Sequence, residues 1–140
     1  MANQALPNVP WSIRRLLESA VTHTASYVSN DFFVDRFTSI IVFIKTTNIG
    51  GTSPTLNAYL QKEMPNGDWA DIGAFTQITT NTSRVLEVVS GGKKEYSLTD
   101  GSLAAGTVLD VTLGRRNRIK IVIGGTNPTV KVTLGFDLLQ

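Results

Sequence analysis

The chain has 140 residues, a formal net charge of +2, a charged fraction of only 17% and no cysteine. A single domain of that length buries about two thirds of its unfolded surface and folds without staples, and the missing cysteines exclude disulfides and thiolate chemistry of any kind. The small net charge does not call for a nucleic-acid partner. No apolar run is long enough for a membrane span, and the first twenty residues lack the basic start and apolar core of a signal peptide. The expectation is a chain that neither enters a membrane nor is exported by the usual secretory route.

Residues 1 to 11 hold Pro7 and Pro10 and show no period, so they read as an extended arm. Its apolar residues Leu6, Val9 and Trp11 have no evident place in the chain's own core, which reads either as docking on a neighbouring subunit or as a frayed terminus. Ile13, Leu17, Ala20 and Val21 follow at helical spacing with Leu16, opposite Arg14, Arg15 and Glu18, and Ser12 stands where a cap belongs. A short amphipathic helix is predicted there, one that must dock on something because two turns are marginal alone.

From Val21 onward the pattern becomes that of strands. Val21, His23, Ala25 and Tyr27 alternate with Thr22, Thr24 and Ser26, and residues 37–44 become apolar on both parities after Ile40, as in a strand covered on both faces. Next comes an octet, Ile49-Gly50-Gly51-Thr52-Ser53-Pro54-Thr55-Leu56, that returns as Ile123-Gly124-Gly125-Thr126-Asn127-Pro128-Thr129-Val130. Two glycines that tolerate positive φ and a proline that extends the residue before it spell a chain reversal. The two octets therefore predict two hairpins in related positions of facing sheets.

Leu56, Ala58 and Leu60 alternate with Asn57, Tyr59 and Gln61. A turn at Asn66-Gly67 should then pair residues 56–62 with 69–79. Residues 84–89 read as a short strand, and residues 90–106 as an irregular stretch long enough to be a working loop, carrying Lys93, Lys94 and Tyr96. Leu109, Val111 and Leu113 alternate with Asp110 and Thr112. Ile119, Ile121 and Ile123 form another alternating set, and Val130, Val132, Leu134, Phe136 and Leu138 give the cleanest one-sided pattern in the chain. The sum is an all-β fold, an antiparallel, jelly-roll-like β-sandwich of about eight strands. The arm and short helix occupy residues 1–19 and the β domain residues 20–140.

Chemistry is hard to find. His23 is the only histidine, no Gly-x-Ser-x-Gly elbow accompanies it, and a ring flanked by threonines reads as a packed or hydrogen-bonded one. The acids Asp68, Asp71, Asp100 and Asp110 are scattered rather than set at calcium-loop spacing, and neither octet carries the lysine of a phosphate-binding loop. No catalytic residue, metal or cofactor is therefore expected, and the chain does not read as an enzyme.

The main electrostatic feature is Arg115-Arg116-Asn117-Arg118-Ile119-Lys120. On a strand it sets Arg116, Arg118 and Lys120 in a row about 7 Å apart. No aromatic side chains interleave with that row, so nucleic acid is not the expected partner. The row reads either as a polar face paired with acids such as Glu87 or Asp110, or as a contact for an acidic protein. Tyr59 and Trp69 offer either a sugar-stacking surface or, for the tryptophan, a plug between sheets.

The order of these signatures resembles small β-rich structural proteins of tailed-bacteriophage virions. The matching pieces are the Ser/Thr-rich strand Ser19-Ala20-Val21-Thr22-His23-Thr24-Ala25-Ser26, a central apolar strand, the strand led by Ser53-Pro54-Thr55-Leu56 and the turn Pro65-Asn66-Gly67-Asp68-Trp69. To these are added Leu113-Gly114-Arg115-Arg116 and the closing Gly-Gly-Thr-x-Pro strand. They are turn and strand signatures of low specificity, and residues 1–18 depart from the pattern as an addition. The resemblance implies a head decoration or cement subunit on the virion surface, assembled in the host cytoplasm. Its implied partners are the major capsid protein and further copies of the chain, most often as a trimer. The expected contact residues are Leu6, Val9, Trp11, Ile13, Leu17, Lys93, Lys94, Tyr96, Arg116 and Arg118. The alternative from another class is a carbohydrate- or receptor-binding module of a tail or fibre, which requires Tyr59 or Trp69 to be exposed.

Overall fold

The computed structural model describes residues 12–34, 36–91 and 95–140. Those residues are all-β: β1 Ser12–His23, β2 Tyr27–Val28, β3 Phe32–Phe33, β4 Ser39–Glu63, β5 Trp69–Ala74, β6 Thr82–Val89 and β7 Arg116–Leu139. Every pairing is antiparallel and all seven strands belong to one hydrogen-bonded sheet.

Two very long strands, β4 and β7, form its spine and pair from Ser39↔Leu139 to Lys62↔Asn117. The first part of β4 and the last part of β7 are flanked by β6 and β1, and these make one leaf. The other halves of the spine are flanked by β5 and by β2 and β3, and these make a second leaf. Residues of both leaves join in one buried hydrophobic cluster. Phe32 of the second leaf stacks on Phe136 of the first with ring centroids 4.1 Å apart. A Cβ on Gly73 of β5 would come within 2.8 Å of Leu86 Cδ2 of β6, although β5 and β6 are not hydrogen-bonded neighbours. Ile40, Val42, Ile44, Leu60, Ile72, Ile119, Ile121 and Leu134 are completely buried between the leaves.

The two octets lie in the middle of the spine strands, paired with each other through Gly50↔Thr129, Thr52↔Thr126 and Thr55↔Gly124. They are therefore not hairpin loops. Their glycines and prolines bend the strands and shift the register between residues 47 and 55 of β4, as a bulge does. The conformations match residue for residue: φ is +102° at Gly51 and +109° at Gly125, and +49° at both Ser53 and Asn127. Each glycine also packs on the other octet's proline segment. A Cβ on Gly51 would stand 2.6 Å from the Asn127 carbonyl oxygen, and one on Gly125 would stand 2.7 Å from that of Ser53. The repeat is thus a local two-fold axis that relates the leaves.

The predicted helix is also absent, because Ser12–His23 is strand β1, running beside β7 from Ser12↔Leu139 to His23↔Val130. Ile13 and Leu17 pack on the core from this strand. Their spacing of four is two full strand periods as well as roughly one helical turn, and bulges after Leu16 and Glu18 disturb the alternation that would have separated the two readings. The strand crosses the proposed boundary after residue 19, so the β domain begins no later than Ser12.

Other expectations hold. The Asn66-Gly67 turn joins β4 to β5, with Glu63↔Trp69 closing the ladder and Gly67 at φ +93°. Residues 82–89 form β6, and Val130, Val132, Leu134, Phe136 and Leu138 all face the core. Residues 109–113 keep the predicted alternation, with Val111 and Leu113 buried, but form no strand. Seven strands stand among the described residues rather than about eight.

Candidate functional site

The cation row lies on the outer face of the second leaf, opposite in parity to the buried Ile119 and Ile121. Its charges are met inside the molecule. Arg116 is paired with Asp31 and lies 3.3 Å from Glu63, the Arg118 Nε donates to Gln61 Oε1 at 2.8 Å, and Lys120 Nζ donates to Asp100 Oδ1 at 2.9 Å. The paired-face reading therefore describes these side chains, but the acids are Asp31, Glu63 and Asp100 rather than Glu87 or Asp110. Hydrogen bonding to Lys120, then to Gln61, holds the Asp100 carboxyl below the usual aspartate range, against the opposing effect of partial burial.

The acid that organises this face is Asp71, which is 1% exposed. Its carboxylate accepts from Gln61 Nε2 at 2.9 Å, Thr99 Oγ1 at 2.8 Å and the backbone N–H groups of Gly101, Ser102 and Leu103 at 2.9 to 3.1 Å. A cluster of donors converging on one carboxylate is a loop clamp. It draws residues 99–103 over the outer face of the second leaf, which explains how Gln61 becomes fully buried and Tyr59 only 9% exposed. The irregular stretch after β6 is thus partly a lid tied to its own sheet. Nothing in the spacing of the sequence marked Asp71 for this role, because its donors are mostly backbone groups 30 to 32 residues away.

The candidate aromatics follow from that clamp. Tyr59 is covered, and Trp69 is half-buried with the Arg118 guanidinium 4.3 Å from its ring centroid. A cation over an indole face satisfies the arginine and occupies a surface on which a sugar ring would stack. Tyr96 packs against the core beside the Lys62 ammonium, which lies 5.2 Å from its ring centroid and donates to the Thr112 carbonyl at 2.8 Å. Deep at this end of the core, the Asn117 side-chain amide finds no partner among the described residues.

His23 stacks on Tyr27 with centroids 3.6 Å apart and a 9° interplanar angle, and its Nε2 lies 3.1 Å from Glu18 Oε2. The other carboxylate oxygen of Glu18 accepts the Tyr27 hydroxyl. Burial, reinforced by that bond, pushes the Tyr27 phenol above its ordinary range. The histidine is thus packed and hydrogen-bonded beside a bulged strand, as read from the sequence. Among the described residues no group of three or more His, Cys, Asp or Glu is placed to hold a metal ion, and no helix is long and apolar enough to cross a membrane.

Of the expected contact residues, Arg116 and Arg118 lie on the outer face of the second leaf, Tyr96 packs against the core beside Lys62, and Ile13 and Leu17 line the edge of the first leaf. Leu6, Val9, Trp11, Lys93 and Lys94 lie outside the described residues. What the sequence reading missed is the outer face of the first leaf. There Leu16, Val85 and Val89 are each 58 to 63% exposed, and Ile41 and Phe43 are half-buried between them. The signal was present in residues 37–44, whose second apolar parity was assigned to an interior covering layer that the described residues do not supply. No family model, curated protein or solved structure matches this chain.

Proposed function

We propose that this chain is a structural virion subunit of a tailed bacteriophage, a decoration or cement protein that reinforces the head lattice through contacts between subunits. We read its folded sheet as a jelly-roll-like sandwich used as a rigid body. The observation that supports the reading best is the distribution of surface chemistry. Arg14, Arg116 and Lys120 are paired with acids of the same chain, while a patch containing Leu16, Ile41, Phe43, Val85 and Val89 is left open on one face. A surface of that kind serves assembly rather than turnover. On a lattice, individually weak contacts gain from effective concentration, so no single interface has to be tight. The partners on this reading are the major capsid protein and further copies of the chain, as a trimer, and the place of action is the head surface.

The test is co-sedimentation of the purified protein with expanded, undecorated heads. Saturable binding at a fixed ratio to the lattice, with raised resistance of the heads to heat, is expected. Absence of binding to heads, combined with glycan binding that is lost in Trp69→Ala, would instead establish the tail-fibre alternative.

A further inference from the structure

The two leaves are related by the octet axis, yet their outer faces are finished differently. On the second leaf the face is polar and roofed by residues 99–103, clamped through Asp71. On the first leaf the same face carries an apolar row beside exposed Lys45 and Glu87 and is bare among the described residues. Cross-strand neighbours Leu16, Gly135, Phe43 and Val85 form one continuous row over four strands. Gly135 has no side chain to fill its place in the row, and the space beside it is a groove of about 350 Å³ lined by Leu16, Ile41, Phe43 and Arg14. Arg14 and Asp137, joined by two hydrogen bonds of 2.8 and 3.0 Å, fence part of it.

We infer that this groove receives residues 1–11 of a second copy of the chain. Three observations select that occupant. The segment carries no charged side chain and holds Leu6, Val9 and Trp11, which matches the apolar floor of the groove, beside which Arg14 and Asp137 pair with each other. Its point of attachment is Ser12, which stands in the end row with Leu139, Ser39 and Val89. A segment preceding Ser12 would have to turn back over the leaf to reach its own row of Leu16, Phe43 and Val85. Pro7 and Pro10 favour extension instead, and eleven extended residues reach about 36 Å, well beyond a leaf about 14 Å wide. Third, a single apolar row across a leaf about 14 Å wide is narrow beside the ~800 Å² per partner of a stable interface, and a donated arm supplies further contact area. Donation from each copy to the next is a head-to-tail contact, which closes into a ring where the rotation between copies does. The inference deepens the assembly reading above and rests on it only for the setting in which the ring is used.

Because the chain has no cysteine of its own, single cysteines report the contact cleanly. Trp11→Cys and Val9→Cys proteins are each mixed with isotope-labelled Leu16→Cys or Val85→Cys protein and treated with a short bis-maleimide, without heads present. The two acceptor positions are exposed, so either substitution is compatible with the fold. The expected product is a covalent pair of one labelled and one unlabelled chain, lost when the acceptor also carries Phe43→Lys or, at a position already exposed, Val89→Lys. A double variant such as Trp11→Cys with Val85→Cys that links only within one chain overturns the inference in favour of self-docking. Absence of any link from both donor positions to both acceptors overturns it altogether. Head binding that persists after either failure leaves the virion reading standing, and cross-linking without head binding does the reverse.

Discussion

Asp71 shows how much one buried carboxylate can organise. Five donors converge on it, three of them backbone N–H groups of a segment with no regular hydrogen-bonding partner of its own. Replacing it with alanine strands those donors away from water, and each buried unsatisfied group costs about 1–3 kcal/mol. Asp71→Ala is therefore expected to destabilise the protein by roughly 3 kcal/mol or more and to lower Tm by about 10 °C. Limited proteolysis should show cleavage near residues 99–103 before anywhere else in the β domain. Tyr27 supplies a prediction in pH. Its folded phenol is raised by burial and by Glu18, so the folded state holds that proton more tightly than the unfolded chain does. The contribution is complete below the ordinary phenol value of about 10 and declines as pH rises above it. Unfolding followed by circular dichroism should lose stability on that alkaline limb, with a shallower loss in Tyr27→Phe. Asp100 works in the opposite direction. Its depressed carboxyl adds stability above the ordinary aspartate range, and that contribution fades as pH falls through its lowered value.

At the scale of the element, the octets decide the shape. Gly51 and Gly125 combine positive φ with backbone atoms under 3 Å from any added Cβ. Alanine at either site should cost more than about 2 kcal/mol in urea unfolding, and the two costs should be similar because the sites are equivalent. Gly67 is the internal control. Its φ is also positive but nothing lies within 4 Å of its added Cβ, so Gly67→Ala should cost only the backbone penalty of about 1–2 kcal/mol. Unequal costs at Gly51 and Gly125 would count against the axis. Strand β1 carries the complementary lesson. As an edge strand it passes its bulges, and Ala20 at φ +50°, on to one neighbour, β7, alone.

For the whole molecule, the spine joins residues a hundred positions apart, Ser39 with Leu139, before either leaf is complete. Loop closure over that distance precedes most of the stabilising contacts. Refolding monitored by tryptophan fluorescence should accordingly fall in the millisecond-to-second range or slower. Two leaves related by one axis are each flanked by different strands, and among the described residues only the second is roofed, by residues 99–103.

Alternation and turn chemistry are local, and they were enough to fix the β class, the Asn66-Gly67 hairpin and the one-sided strand that ends at Leu138. Those features depend on nearest neighbours along the chain, where side-chain direction follows directly from residue parity. The repeat of the octet could also be read by eye, but its meaning could not. Glycine and proline state that the backbone must bend, and only the pairing of one octet with the other makes that bend a crease in a continuous strand instead of a reversal. Ser12–His23 became a strand for the same reason: its spacing fits two periods, and the free edge of β7 chose between them. Which acids meet Arg116 and Lys120, why Asp71 is buried, and that Leu16, Phe43 and Val85 line up across four strands are facts of register between distant segments, set by tertiary packing and carried by no local pattern.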